Sequence, residues 1–177
     1  MGVIIYRPCQ AFPALRGLAP GKEQRVSPRG EFPDQPVVGV GGVVISEGRA
    51  LLIRRGSEPL RGAWSIPGGR LELGETIAQG VARELLEETG LQVRVLDLIE
   101  VFERIFREDS SPCARGPRYH YVILDYLCEV IGGEPRPGSD VTDLAWAREE
   151  ELPRFGLTPT ATRILLKAFE MARRTPR

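Results

Sequence analysis

The sequence is poor in the residues that most often bind zinc or act as catalytic bases, since it has three cysteines and one histidine among 177 residues. Cys9, Cys113 and Cys128 are far apart and form no C-x-x-C pair, which argues against a disulfide framework and against a zinc site. His120 lies inside an alternating, strand-like run, where a structural role is expected. This cysteine usage fits a reducing compartment, and we expect a cytoplasmic protein.

The sequence also lacks a net charge and a long apolar run. Its 24 Lys and Arg residues balance 24 Asp and Glu residues, so the overall charge does not favour binding to nucleic acid or to an anionic membrane. No apolar run approaches the roughly 18 residues that a membrane helix needs. Pro8 and Pro13 argue against a signal peptide and against the amphipathic helix of an organellar transit segment. We therefore expect neither nucleic acid nor a membrane as a partner.

What remains is the composition of one globular domain, with 42% hydrophobic and 27% charged residues. Residues 1–36 are proline-rich and show little apolar periodicity, which predicts an irregular extension ahead of a domain that spans residues 37–177. Such an extension could bind a partner or lie across the second subunit of a homodimer. The sequence does not determine the oligomeric state.

Strand-like and helix-like segments alternate along the chain, which predicts an α/β protein. The predicted strands cover residues 37–46, 50–55, 93–106, 119–130 and 144–147. Glu47 and Gly48 form a turn between the first two strands. One helix is predicted after Thr76 and a second after Thr158, where Pro159 suits the first helical position.

The helix after Thr76 is delimited by residues that favour helix ends. Thr76 can cap its N-terminus with Gln79 as the second member of a capping box, and Gly90 can take the left-handed conformation that ends it. An apolar stripe between these ends predicts close packing on a sheet. The stripe comprises Ile77, Val81 and Leu85, flanked by Ala78 and Ala82.

Glu84, Glu87 and Glu88 are spaced i, i+3 and i+4, so we expect them to converge on one face of this helix. Carboxylates this close repel one another and raise each other's pKa unless a cation lies among them. A set of oxygen ligands suits Mg²⁺, with Mn²⁺ as the alternative. The cluster therefore predicts a metal site for phosphoryl or nucleotidyl transfer, although a glutamate-rich helix face can also be merely solvated.

The segment from Gly69 to Leu91 resembles the Nudix box, the pattern G-x₅-E-x₇-R-E-U-x-E-E-x-G-U in which U is apolar. Every fixed position agrees, and a chance match in this chain has a probability on the order of 10⁻⁷. The matching residues are Gly69, Glu75, Arg83, Glu84, Leu85, Glu87, Glu88, Gly90 and Leu91. The order of the elements over residues 37–172 is also similar, so we expect the Nudix fold, an α/β/α sandwich with a mixed β-sheet.

The resemblance implies which residues bind metal and which support the loop. In Nudix enzymes the last three glutamates of the box bind metal ions, often with the carbonyl of the preceding glycine. The implied ligands here are Gly68, Glu84, Glu87 and Glu88. The first glutamate commonly pairs with the box arginine, so structural support is expected from Glu75, Arg83, Gly69 and Gly90.

The resemblance also implies candidates for the general base. In some members the base is one of the box glutamates, here Glu87 or Glu88, and in others it is an acid in a loop before a later strand. Asp140 matches that loop position, and Asp143 is the second choice. Both lie in a loop rich in glycine and proline, where aspartate often serves only to form a turn.

Substrate contacts are expected from arginines near the strand ends. Arg55 aligns with a phosphate-contacting arginine in similar enzymes, and Arg107 is the second residue that we assign to substrate binding. Arg107 belongs to a set around one loop that could collect phosphate or ribose groups. The set also includes Arg104, Arg115 and Arg118. Trp64 is expected to pack under the glycine loop, although stacking on a purine is the alternative.

The chain as a whole is similar to bacterial Nudix proteins known as ADP-ribose pyrophosphatases. Position 107 is arginine, so the proline and tyrosine markers found near this distance from the box in some subfamilies are absent. We expect Mg²⁺-dependent hydrolysis of a small nucleoside diphosphate linked to another group, with ADP-ribose as the preferred substrate. The alternatives are MutT-like hydrolysis of nucleoside triphosphates and a sensor that binds a nucleotide without cleaving it.

Overall fold

The computed structural model describes residues 31, 33–58, 60–107, 117–138 and 140–174. The strands are β1 (Val37–Ser46), β2 (Arg49–Arg55), β3 (Trp64–Ser65), β4 (Gly68–Arg70), β5 (Leu91–Phe106), β6 (Tyr119–Gly133) and β7 (Val141–Arg148). The helices are α1 (Ile77–Thr89), α2 (Pro159–Arg174) and a 3₁₀ helix (Glu149–Phe155). Both predicted helices and all five predicted strands are present. The short strands β3 and β4 and the 3₁₀ helix were not predicted, because segments this short carry little periodicity.

The strands form a mixed sheet in the order β3-β2-β1-β6-β5, with β4 paired to β1 and β7 paired to β2. The central pair, β1 and β6, is parallel, whereas the other pairs are antiparallel. Strand β6 is far from β1 in sequence, yet the two strands lie side by side in the middle of this order. Residues from distant parts of the chain therefore meet at the centre of the sheet.

The two helices cover opposite faces of the strands. Adjacent residues of β2 show this division, since Leu52 packs in the core that includes Ile164 and Phe169 of α2, whereas Leu51 packs in the core that includes Leu85 of α1. Side chains that alternate along a strand supply both cores at once. The predicted α/β/α sandwich with a mixed β-sheet is therefore confirmed.

The ends of α1 agree with the sequence prediction. The hydroxyl of Thr76 accepts a hydrogen bond from the backbone N–H of Gln79, the Gln79 side chain accepts one from the Thr76 N–H, and Gly90 adopts a left-handed φ of 72°. The stripe residues Val81 and Leu85 are fully buried. The prediction for Ala78 is wrong, because Ala78 is exposed.

Helix α2 is fixed by its cap and by β5. The hydroxyl of Thr158 accepts a hydrogen bond from the Ala161 N–H at 3.2 Å, as expected for an N-cap. On the outer side of the helix, Arg163 and Lys167 both form ion pairs with Glu100 of β5. These contacts hold α2 beside β5.

Part of the predicted N-terminal extension can be placed. Glu31 accepts hydrogen bonds from Arg118 at 2.9 Å and from the Tyr119 hydroxyl at 2.8 Å. Cys9, Cys113 and Arg115 lie outside the described residues, whereas Cys128 is buried and burial raises the pKa of its thiol to about 12. No helix within the described ranges is long and apolar enough to span a membrane.

Candidate metal centre and cleft

A cleft of about 290 Å³ opens between the α2 face of the sheet and the loop that joins β2 to α1. This volume is close to the lower end of the roughly 300–1,000 Å³ that small-molecule sites occupy. Acidic residues line one part of the cleft, and arginines with aromatic and aliphatic residues line the rest. The lining includes Gly41, Arg55, Trp64, Ile66, Gly68, Gly69, Glu84, Glu88, Phe102, Arg104, Tyr121, Ile123, Asp125, Asp140, Ala161 and Ile164.

Glu88 is the most buried of the three box glutamates that are implied as metal ligands, with 5% of its surface exposed. One carboxylate oxygen accepts a hydrogen bond from the Gly68 N–H at 2.7 Å, which ties the glycine loop to the last turn of α1. Burial is the main reason that the pKa of Glu88 rises to about 8, and the charges of Glu84 and Asp140 add to it. A nearby cation would therefore stabilise the ionised form of this carboxyl at neutral pH.

Glu84 lies one turn earlier on α1 and also lines the cleft. Its carboxylate fits against Gly69, since a Cβ atom at that position would lie 2.4 to 2.5 Å from the Glu84 carboxylate atoms. The absence of a side chain at Gly69 is thus what allows this close approach. Burial raises the pKa of Glu84, while the hydrogen bond from Arg83 acts in the opposite direction.

Arg83 holds the glycine loop against α1. It makes two hydrogen bonds to the Glu75 carboxylate, at 2.7 and 3.0 Å, and one to the Arg70 carbonyl at 2.9 Å. The Glu75 to Arg83 contact that the resemblance implies is therefore present. Arg83 also donates to Glu84 at 2.9 Å and to Glu87 at 3.2 Å, which links the supporting pair to two of the implied metal ligands.

Glu87 differs from its two neighbours. Its side chain is 50% exposed, it pairs with Arg83, and it is not among the residues that line the cleft. Over the described ranges, no three acidic, histidine or cysteine side chains form a complete ligand set for a metal ion. The expectation that all three glutamates converge is therefore met only by Glu84 and Glu88, which line the cleft, whereas Glu87 is half exposed beside Arg83.

The loop before β7 brings Asp140 to the same end of the cleft. The N–H of Arg136 donates to the Thr89 carbonyl at 2.9 Å, and the N–H of Gly138 donates to the Glu88 carbonyl at 3.1 Å. These bonds satisfy carbonyls that the end of α1 leaves free. The Asp140 carbonyl accepts the N–H of Gly56 at 2.5 Å, and its carboxylate accepts the hydroxyl of Ser57.

The ligand chemistry at this end of the cleft suits a divalent cation. Glu84 and Glu88 offer carboxylate oxygens, which hard cations prefer, and Asp140 and the glycine loop also line the cleft. The carboxylates are close enough for Asp140 to raise the pKa of both Glu84 and Glu88. A cation among them would remove the cost of holding these charges together in a partly buried position.

Two arginines lie in the cleft beyond the acidic group. Arg55, at the end of β2, and Arg104, on β5, both line it. Burial and the charge of Arg55 lower the pKa of Arg104, whose guanidinium lies 5.4 Å from the centroid of the Phe106 ring. Two guanidiniums in one cleft favour the binding of an anion there. Arg107, by contrast, is exposed just after β5 and is not among the lining residues.

The floor of the cleft contains residues that the sequence analysis did not single out. Tyr121, Ile123 and Asp125 point to the same face of β6, and Phe102 lies directly across from Ile123 on β5. Asp125 is 4% exposed although it is ionisable. An acid flanked by the apolar residues Leu124 and Tyr126 in a predicted strand could have identified it, because buried polar groups are the informative exceptions.

The remaining candidates lie elsewhere. Trp64 lines the cleft and packs edge to face against Phe155 of the 3₁₀ helix, with ring centroids 5.2 Å apart. His120 is next to Tyr121 on β6, points to the opposite face of the strand and is absent from the cleft lining. Asp143 is exposed on β7, and its carboxylate accepts the N–H of the following residue, Leu144, at 2.9 Å.

Comparison with known proteins gives consistent matches. The model of the NUDIX domain matches residues 35–168. The chain is 37% identical over 120 residues to an ADP-ribose pyrophosphatase of Methanocaldococcus jannaschii, a match that covers 68% of this chain and 66% of that protein. It is 38% identical over 129 residues to a MutT-like protein of Streptomyces ambofaciens, which covers 72% and 74% of the two chains. The crystal structure of a MutT NUDIX hydrolase from Burkholderia pseudomallei is similar with a TM-score of 0.64 and 32% identity, over 76% of this chain and 98% of that one.

Proposed function

This chain belongs to the NUDIX family of pyrophosphohydrolases, and on that premise we propose that it cleaves a nucleoside diphosphate linked to a second group. The preferred substrate in this proposal is ADP-ribose or a similar nucleotide sugar, and the products are a nucleoside monophosphate and a sugar phosphate. The name of the archaeal relative supports this choice. The family generally uses a divalent metal ion, and Mg²⁺ is the ion that we propose here.

The observation that carries the proposal is the division of one cleft into an acidic end and a basic pair. The acidic end is lined by Glu84, Glu88 and Asp140, and the basic pair is Arg55 and Arg104. A diphosphate substrate would use the acidic end and the basic pair together, because a cation at the acidic end neutralises its charge and the guanidiniums bind its remaining oxygens.

In this proposal Glu84, Glu88 and the Gly68 carbonyl would hold the metal ion, and Glu87 would join them only by leaving Arg83. When bound, the ion neutralises phosphate charge and lowers the pKa of a coordinated water. Arg55 and Arg104 would orient the diphosphate. Asp140 would accept the proton of the attacking water, since it is exposed at the edge of the cleft, whereas Glu88 is buried and already accepts the Gly68 N–H.

Product analysis tests the proposal. The protein would be incubated with and without Mg²⁺ against ADP-ribose, other nucleotide sugars, dinucleoside polyphosphates and nucleoside triphosphates, and the products separated by chromatography. Mg²⁺-dependent formation of AMP and ribose phosphate is the expected result. Pyrophosphate released from a triphosphate would favour the MutT-like alternative. Saturable nucleotide binding without cleavage of any compound would favour the sensor.

A further inference from the structure

Leu60 has an unusual backbone conformation for its residue type. Its φ angle is 68°, in the left-handed region, where the Cβ atom of an L-residue comes too close to the following carbonyl oxygen. Among the described residues, the one other non-glycine residue with a positive φ is Glu47. Glu47 and Gly48 form the two-residue turn between β1 and β2, and such a turn requires a positive φ at both positions. The hairpin explains Glu47, whereas Leu60 needs another explanation.

The turn that contains Leu60 does not supply that explanation. The Ala63 N–H donates to the Leu60 carbonyl at 3.0 Å, and Gly62 has a φ of 81°, so Gly62 provides the left-handed residue of this turn. Leu60 occupies the first position, where no positive φ is required. Glycine or asparagine would adopt the conformation of Leu60 at little cost, because glycine has no Cβ atom and asparagine can form a local hydrogen bond.

Packing in the interior does not explain a leucine at this position either. Leu60 is 39% exposed and belongs to neither of the two hydrophobic cores that flank the sheet. It lines the cleft instead, together with Ala63 and Trp64 from the same segment. Strained residues cluster at active sites and at contacts with ligands, where the strain has a function. The position of Leu60 therefore indicates a contact with the molecule that occupies the cleft.

Hydrogen bonds fix this turn to Arg55, one of the two arginines proposed to orient the diphosphate. The Arg55 N–H donates to the Ala63 carbonyl at 3.0 Å, and the Gly62 N–H donates to the Arg55 carbonyl at 2.8 Å. The turn therefore lies beside Arg55. A group attached to a diphosphate that Arg55 binds can reach Leu60.

We propose that Leu60 packs against the face of the substrate's nucleobase, and this inference rests on the proposed function for the presence of a nucleotide in the cleft. A nucleobase carries its hydrogen-bonding groups at its edge, so leucine can cover an apolar face without leaving a polar group unpaired. A sugar phosphate in the same place would bury hydroxyl groups that have no partner in leucine. The contact does not read the edge of the base, so it favours a nucleotide over a sugar phosphate without distinguishing adenine from guanine.

Isothermal titration calorimetry with AMP and with ribose 5-phosphate, in the presence of Mg²⁺, tests the proposal. Both ligands contain ribose and a phosphate, and AMP alone contains a base. Asparagine is close to leucine in size, is polar and tolerates a positive φ. Leu60→Asn should weaken AMP binding by about 5- to 10-fold, the effect of losing one partly covered apolar contact, and should change ribose 5-phosphate binding by less than about 2-fold. GMP binding should weaken by the same factor as AMP binding.

Two further variants separate the effect of the side chain from that of the backbone. Leu60→Met keeps an apolar side chain and should bind AMP within about 2-fold of the unmodified protein. Glu47→Asn makes a similar change at the other left-handed residue, outside the cleft lining, and should leave both affinities unchanged. Leu60→Asn should melt within about 3 °C of the unmodified protein, because the relief of strain offsets the apolar contact that is lost.

Three results would overturn the assignment. Equal losses of AMP and ribose 5-phosphate binding in Leu60→Asn would show that the leucine only maintains the turn beside Arg55. Unchanged AMP binding in Leu60→Asn, or no preference for AMP over ribose 5-phosphate in the unmodified protein, would exclude a contact with the base. Leu60→Gly, which also tolerates the backbone conformation, gives the same test if Leu60→Asn does not fold.

The outcomes also separate this inference from the proposed function. A protein that cleaves a diphosphate substrate, but whose Leu60→Asn variant binds AMP normally, would refute the assignment of Leu60 alone. A selective loss of AMP binding in Leu60→Asn, in a protein that cleaves none of the tested compounds, would support the base contact and contradict the proposed hydrolysis.

Discussion

The acidic end and the floor of the cleft are built in different ways. At the acidic end, Glu84 and Glu88 come from one helix, and both carboxylates have partners within the protein, namely Arg83 for Glu84 and the Gly68 N–H for Glu88. At the floor, Asp125 comes from the central strand β6 and has no partner that we find among the described residues. Both contain carboxyls with a raised pKa, and burial is the largest cause in each.

This difference shows that burial of a carboxyl has two different consequences for function. Hydrogen bonds keep the carboxylates of a cluster in place, so the cluster can bind a cation without rearranging. A single carboxyl without partners gains most from a ligand that supplies a hydrogen bond. We therefore expect substitutions at the acidic end to lower turnover and those at the floor to change stability.

The largest expected effect is at the acidic end. Glu88→Gln should lower kcat by at least ~100-fold because a ligand charge is lost, while the amide oxygen can still accept the Gly68 N–H and maintain the fold. Glu87→Gln should lower it less, since the Glu87 side chain is half exposed and pairs with Arg83. Initial rates at saturating substrate and Mg²⁺ measure both.

Circular dichroism spectra of the two variants are the control for folding. Near-normal activity in a folded Glu88→Gln protein would remove the metal assignment. Equal losses in the two variants would mean that Glu87 moves from Arg83 into the metal site.

The next effect concerns the general base. Asp140→Asn should lower kcat by about 100-fold, because a positioned general base contributes at least on this scale. Asp143→Asn is the matched control and should leave kcat unchanged, since among the described residues its carboxylate accepts only the N–H of Leu144. If Asp140→Asn keeps the rate of the unmodified protein, the base is another residue.

At the floor the expected effect is on stability. The folded pKa of Asp125 is about 7, above its ordinary value of 3.8, so the cost of ionising it is absent at low pH and grows as the pH rises toward 7. Asp125→Asn should therefore gain stability relative to the unmodified protein between pH 5 and pH 8, by an amount on the order of 2 kcal/mol. Denaturant unfolding at several pH values measures this difference.

Glu88 titrates over an overlapping range, but it is present in both proteins and largely cancels in the comparison. A stability difference that stays constant from pH 5 to pH 8 would contradict the idea that Asp125 is an unpartnered carboxyl in the folded protein.

The smallest expected effect concerns the N-terminal extension. Deletion of residues 1–35 should preserve a single cooperative thermal transition, because the NUDIX match begins at residue 35. The loss of the contacts from Glu31 to Arg118 and Tyr119 should cost on the order of 1 kcal/mol. Glu31→Gln in the full chain measures how much of the lost stability comes from these contacts. Loss of the cooperative transition on deletion would show that the extension is part of the folded domain.

The sequence by itself determined the parts of this protein that depend on short-range spacing. The capping box at Thr76, the left-handed residue at Gly90 and the positions of the glutamates on α1 follow from helix geometry within about fifteen residues. The Glu75 to Arg83 pair followed from the resemblance to the Nudix box, and the structure contains it. The strands of the hairpin at residues 37–55 followed from β-branched composition and a turn.

Only the tertiary structure decided how these parts meet. The parallel pairing of β1 with β6 set Asp125 above Gly41, and the loop before β7 carried Asp140 to the end of α1. Strand register and loop attachment depend on contacts between residues far apart in sequence, which no local pattern encodes. For the same reason, Arg104 and Arg107 looked alike in the sequence, and only the fold placed Arg104 in the cleft and left Arg107 exposed outside it.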